Sequence, residues 1–166
     1  MTTRFRQLLT ATTALTFGLI LLGVYTGAIG AGLTCGARWP LCDGWMGLFP
    51  ANWASFVEWF HRLVAMITGF AILGSTIAAW RGDYSSRIRY ATTVATAVLP
   101  VQIFLGANTI VNFGALAQVL HHTAALTILT AMVGATAWAF DAPATAASTD
   151  TAADSGTDTD AAPSSD

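Results

Sequence analysis

Four long apolar stretches, separated by short polar segments, run along this chain. They cover about Leu9–Leu33, Phe56–Trp80, Ala91–Val111 and Leu116–Phe140. Each approaches or exceeds the roughly 20 apolar residues that a helix needs to cross a bilayer, and none shows the strict alternation of a half-buried strand. Because a membrane admits only helices and closed barrels, the pattern predicts an all-α membrane protein built as a four-transmembrane-helix bundle.

The composition agrees with this class and adds a second segment. Hydrophobic residues make up 54% of the chain and charged residues 10%, and before residue 141 the only acids are Asp43, Glu58 and Asp83. We therefore expect a four-helix membrane domain over residues 1–140 and a disordered, acidic tail over 141–166, which has no hydrophobic period. Low charge and an apolar surface indicate the lipid bilayer, not nucleic acid, as the partner.

The arginines predict the orientation of the bundle, since the chain has no lysine. Five of them precede the first stretch or separate the second from the third: Arg4, Arg6, Arg81, Arg87 and Arg89. The positive-inside rule then places both termini in the cytoplasm and the 34–55 loop outside, at the cell membrane.

The two cysteines, Cys35 and Cys42, both fall in this predicted outer loop. The glycine and proline between them allow a turn, and the outer side of a membrane is oxidising, so we expect a disulfide. Two interpretations stay open: a structural staple, or a redox-active pair that exchanges electrons with a site beneath the loop.

The second apolar stretch opens with an unusual cluster, Glu58-Trp59-Phe60-His61-Arg62. Ionisable groups within a membrane segment usually face the bundle interior and mark a functional site. On a helix Glu58 and His61 share a face, and Glu58 and Arg62 can pair. The alternative is an ion pair at the headgroup level with His61 merely lying at the interface.

A second histidine, His121, lies about as far into the fourth stretch as His61 lies into the second. Both stretches run in the same direction, so the two imidazoles are expected at one level, roughly 8 Å below the outer helix ends. Such a pair can ligate one metal from opposite sides, and bundle cores are where heme sites are built. The pattern favours a heme between His61 and His121, although the adjacent His122 remains an alternative ligand.

Small and polar residues inside the helices carry weaker signals. Gly23 and Gly27 form a small-xxx-small pair, which indicates close helix packing or room for a flat ligand. In the third stretch Gln102, Asn108 and Asn112 need polar partners, and interhelical hydrogen bonds are the expected ones.

Three motifs together resemble the heme A synthase family, whose members oxidise a methyl group of heme O to the formyl group of heme A. They are the loop signature of residues 30–44 with its two cysteines, the Glu58–Arg62 cluster, and residues 102–106 followed by Leu120-His121. The resemblance implies that His61 and His121 hold heme O near the extracellular face, that Glu58 accepts protons, and that water supplies the oxygen. Arg62, or else Arg38, would steady a heme propionate.

The chain departs from the family in having one helical half. Typical members have eight spanning helices in two halves, the first for the substrate heme and the second for heme b. The resemblance therefore implies that a second copy of this chain, in a homodimer, or a partner chain supplies the other site. It also implies functional contact with the enzyme that makes heme O.

Two rival functions fit the same residues less completely. A bis-histidine membrane cytochrome that only relays electrons needs both histidines but not Glu58 or the cysteines. An assembly subunit of a respiratory complex would bind no heme of its own.

Overall fold

The protein is a bundle of four long helices in the computed structural model, which describes residues 2–36, 38, 41–112 and 114–141. The helices are α1 (Thr3–Ala28), α2 (Trp53–Arg81), α3 (Ser86–Val111) and α4 (Ala115–Asp141). All four are long and apolar enough to cross a membrane. The all-α class and the four-transmembrane-helix bundle are thus confirmed. The expected tail over 142–166 lies outside the described residues, as do Trp39 and Pro40 of the loop signature.

The helix bounds differ from the apolar stretches, and at the starts of α1 and α2 a polar cap sets the end of the helix. The predicted first helix was placed too late at both ends: Thr2 caps α1 by accepting from the amide of Phe5, and the left-handed Gly30 (φ 69°) follows its end. Asn52 caps α2, accepting from the amide of Ser55 at 3.0 Å. Ser, Thr and Asn are favoured at this position because they satisfy an amide that the helix leaves unpaired.

Each helix packs against its two neighbours in chain order, and α4 closes the ring against α1. Consequently α2 and α4 lie diagonally across the bundle and run in the same direction. Hydroxyl pairs join three of the interfaces: Thr12 with Ser75 at 3.1 Å, Thr13 with Thr136 at 2.9 Å, and Thr76 with Thr96 at 2.7 Å. Such interhelical hydrogen bonds replace the hydrophobic drive that a lipid environment does not supply.

The two ends of the bundle differ in packing. One end carries the helix termini with Arg4, Arg6, Arg81, Arg87 and Arg89, and we call it the arginine end. The other carries the described residues between α1 and α2 and between α3 and α4, and we call it the loop end. The buried apolar core lies in the half nearer the arginine end: Phe5, Leu9, Ile72, Ala79, Ile88, Ala95, Ile128, Met132, Ala135 and Ala139. The half nearer the loop end holds the predicted functional residues instead.

Candidate heme site

The two predicted ligands face each other across the half of the bundle nearer the loop end. His61 is the ninth residue of α2 and His121 the seventh of α4, so they lie roughly 12 Å and 9 Å from the starts of their helices. The two imidazoles lie close enough for their charged forms to repel each other. The diagonal placement of α2 and α4 therefore brings together two residues that are 60 positions apart in the chain.

Each imidazole rests against a glycine of the preceding helix. A Cβ atom at Gly23 of α1 would lie 3.0 Å from Cε1 of His61, and a Cβ atom at Gly106 of α3 would lie 3.0 Å from Cε1 of His121. Gly23 therefore lies against the ring of His61 inside the bundle. Gly27 itself has open space at its Cβ position.

Glu58 and Arg62 form a buried ion pair one turn from His61. The Nε atom of Arg62 donates to Oε1 of Glu58 at 2.9 Å, and both side chains are 8% exposed. The Nη1 atom of the same guanidinium donates to the carbonyl of Leu41 at 2.8 Å. The predicted pairing of Glu58 with Arg62 is confirmed, and the pair is largely enclosed by protein and tied to the loop.

The disulfide between Cys35 and Cys42 fixes that loop above the site. Both cysteines are 2% exposed, and their sulfur atoms lie 3.7 Å and 3.6 Å from the carbonyl oxygen of Ser55 in the first turn of α2. Asp43 reinforces the junction by accepting from the hydroxyl of Ser55 at 2.8 Å. Leu41, whose carbonyl binds Arg62, directly precedes Cys42, so the disulfide loop and the Glu58–Arg62 pair are one connected structure.

The two neighbouring histidines of α4 have different surroundings. His121 contacts Gln102 of α3, with 3.3 Å between the two Nε2 atoms. His122 instead uses Nδ1 to bond the carbonyl of Gln118 in its own helix at 2.7 Å. The geometry therefore sets His121, not His122, toward α3 and His61, while the assignment of the ligand stays a prediction.

The polar residues of α3 also differ from one another in their hydrogen-bond partners. Gln102 makes the interhelical hydrogen bond expected of it, whereas Asn112 donates to Asn108 at 2.8 Å along the same helix, so the interhelical expectation is wrong for that pair. The contact of Gln102 with His121 was missed as part of the site. Gln102 and Gly106 are four residues apart on α3, so both lie on the helix face that meets His121.

Several buried polar atoms of this region lack a hydrogen-bond partner among the described residues: His61 Nδ1, His121 Nδ1, Arg62 Nη2 and Gln102 Oε1. Buried polar groups are otherwise paired, so each such atom calls for an explanation. Two imidazoles from facing helices suit the axial positions of a heme iron, and a free guanidinium nitrogen suits a carboxylate. The donor set thus fits a heme with its propionates.

Comparison with known proteins places these residues in a family context. Residues 47–133, slightly more than half of the chain, match the family described as COX15-CtaA, cytochrome oxidase assembly protein. The matched range includes the ion pair of Glu58 and Arg62 and both facing histidines, but not the two cysteines.

Individual relatives carry two different names. A "Protoheme IX farnesyltransferase" of Halobacterium salinarum is 37% identical over 142 residues, which are 84% of this chain and 30% of that protein. A "Heme A synthase" of Alkalihalophilus pseudofirmus is 34% identical over 124 residues, covering 67% of this chain and 41% of the relative. A "Heme A synthase" of Bacillus licheniformis is 33% identical over 55% of this chain and 30% of its own length. The chain thus spans well under half of each of these relatives.

Proposed function

From the premise that this chain belongs to the heme A synthase family, COX15-CtaA, we propose that it oxidises a methyl group of heme O to a formyl group and so makes heme A. One observation carries the proposal. The bundle sets two imidazoles facing each other beside a buried carboxylate–guanidinium pair, in the half of the molecule that the apolar core leaves free. Heme A formed in this way would serve terminal oxidases.

His61 and His121 would hold the iron of the substrate heme, and Arg62 would bind one of its propionates. The Nη2 atom of Arg62 is buried without a partner among the described residues, while Nε and Nη1 are already bound. A propionate oxygen could accept a hydrogen bond from Nη2 and so give this nitrogen a partner without displacing Glu58. Binding of the substrate would then leave the ion pair intact.

Glu58 is the proposed proton acceptor. Converting a methyl group to a formyl group with oxygen from one water releases four protons and four electrons. Glu58 is 6% exposed, and a carboxylate held in position at the site can take protons from the reacting group. The iron porphyrin supplies the electron chemistry, and the helices hold it in place and exclude bulk water.

The four electrons need an acceptor, and a heme b in a second site is the proposed one-electron carrier. We propose that a second copy of this chain provides that site in a C2 homodimer, the commonest symmetric oligomer. The heme site would lie toward the extracellular face of a multi-pass protein of the cell membrane, since the arginine end faces the cytoplasm by the positive-inside rule.

The names of the haloarchaeal relatives support a link to heme O synthesis. In the Halobacterium protein named a protoheme IX farnesyltransferase, the segment similar to this chain is 30% of the length. We propose that this chain receives heme O from such an enzyme. Prenyl transfer by this chain itself is the less favoured alternative, because the described residues hold no cluster of three or more carboxylate, histidine or cysteine ligands for the cations that steady a diphosphate.

The test is co-expression of the full chain with and without a heme O source, followed by extraction and mass analysis of the hemes. Heme A that appears only when heme O is supplied supports the proposal. Bound heme with no heme A would indicate an electron-relaying cytochrome, and absence of bound heme an assembly subunit. Heme O formed from protoheme IX alone would assign the farnesyl transfer to this chain.

A further inference from the structure

The two facing imidazoles are seated in the same way on two different helix pairs. Gly23 lies five residues before the end of α1 and Gly106 five residues before the end of α3. A Cβ atom at either position would stand 3.0 Å from the Cε1 atom of the facing histidine and 3.5–3.6 Å from its Nδ1 atom. The α1–α2 and α3–α4 hairpins therefore present their rings equivalently.

These distances are tighter than most contacts that a Cβ atom makes in proteins. A Cβ at 3.0 Å requires the imidazole to shift by a few tenths of an ångström. Other glycines of α1 do not behave in this way, since Gly18 and Gly27 have nothing within 4 Å of their Cβ positions. Close helix packing alone does not explain glycine at 23 and 106, whereas the imidazole faces do.

A hydrogen bond at Nδ1 does not fix either ring. A histidine that ligates a metal usually donates its other ring nitrogen to a protein acceptor, which sets the plane of the ring. Here neither His61 Nδ1 nor His121 Nδ1 has a hydrogen-bond partner among the described residues. The glycine surface is then what orients the ring of His61, and at His121 it acts together with the contact between the Nε2 atoms of Gln102 and His121.

We propose that Gly23 and Gly106 are positioning residues that set the ring planes of His61 and His121 toward the heme iron. This inference rests on the proposed function for the role of the histidines, although the contact between glycine and imidazole exists without heme. Each glycine acts through its histidine and touches no reacting atom.

The contact is tested first in the heme-free protein, by a double-mutant cycle on thermal unfolding in detergent. Gly23→Ala should lower the unfolding midpoint by about 2–4 °C. In a His61→Ala background the same change should leave the midpoint unchanged or raise it, because alanine is the better helix former. Gly106→Ala with His121→Ala forms the second cycle, and Gly27→Ala is the matched control on α1. An equal loss in both backgrounds would overturn the contact.

The positioning role is tested with heme B and heme O added to the folded variants in nanodiscs. Gly23→Ala and Gly106→Ala should weaken heme binding about 10-fold or more, the scale for a residue that orients a metal ligand, and shift the g values of the low-spin EPR signal. Gly18→Ala and Gly27→Ala should match the wild type.

The two possible failures are distinguishable. Unchanged affinity and EPR signal in Gly23→Ala and Gly106→Ala, beside a heme-binding wild type, would overturn the positioning role. A wild type that takes up neither heme would overturn the proposed function, and the heme-free cycles would still report on the contact.

Discussion

Replacing Glu58 by glutamine separates the charge of this side chain from its place in the structure. Glutamine has nearly the same size, and its carbonyl oxygen can still accept from Nε of Arg62, which now lies 2.9 Å from the carboxylate. The variant therefore keeps the link from α2 through Arg62 to the carbonyl of Leu41. It loses only the group that can take up a proton.

The structure sets the expected magnitudes. Both partners of the ion pair are 8% exposed, so Glu58→Ala leaves a buried guanidinium without its anion and should cost about 3–5 kcal/mol of stability. Glu58→Gln keeps the hydrogen bond and should cost about 1 kcal/mol. Loss of a positioned proton acceptor should nevertheless reduce heme A formation by about 10²-fold or more. Heme binding should remain, because the two facing histidines are untouched.

The assay measures three quantities on each variant: the thermal unfolding midpoint, the bound heme per chain, and the ratio of heme A to heme O in extracts. Asp43→Asn is the matched control, since it removes a carboxylate at the same end of the bundle, bonded to Ser55. This control should retain heme A formation. Wild-type product levels in Glu58→Gln would refute the role of Glu58, and a stable Glu58→Ala would refute the account of the ion pair.

Three further predictions concern the ligands, the loop and the assembly. His61→Ala and His121→Ala should each lose heme or convert it to high spin, while His122→Ala should have little effect on the optical spectrum; loss of the low-spin spectrum in His122→Ala alone would overturn the assignment. Cys42→Ser should lower the free energy of unfolding by about 2–3 kcal/mol, from the entropy of a loop closed over a separation of 7 residues, and mass spectrometry of unreduced peptides should find Cys35 joined to Cys42, not two free thiols. Native mass spectrometry in nanodiscs should show two chains with up to two hemes, and a monomer that makes heme A without a partner would contradict the homodimer.

The sequence alone determined the class of this protein, because hydropathy over 20 or more residues fixes a membrane helix whatever its neighbours are. It also indicated the candidate site residues: ionisable groups are rare in such segments, so Glu58, His61, Arg62 and His121 stood out. The cysteine pair was predictable because no other cysteine exists in the chain. The predicted bounds of the first helix were wrong, because hydropathy alone does not locate its capping residue Thr2.

Only the tertiary structure decided what these residues touch. Which face of a helix meets which neighbour depends on the ring order of the four helices, and a near-uniform apolar composition does not encode it. The sequence could not show that the partner of Gly23 is the imidazole of His61, nor that Gln102 turns to His121. Nor could it show that Arg62 joins Glu58 to the loop. That contact depends on the position of the Leu41 carbonyl, which follows from the fold of the disulfide-closed loop over the start of α2.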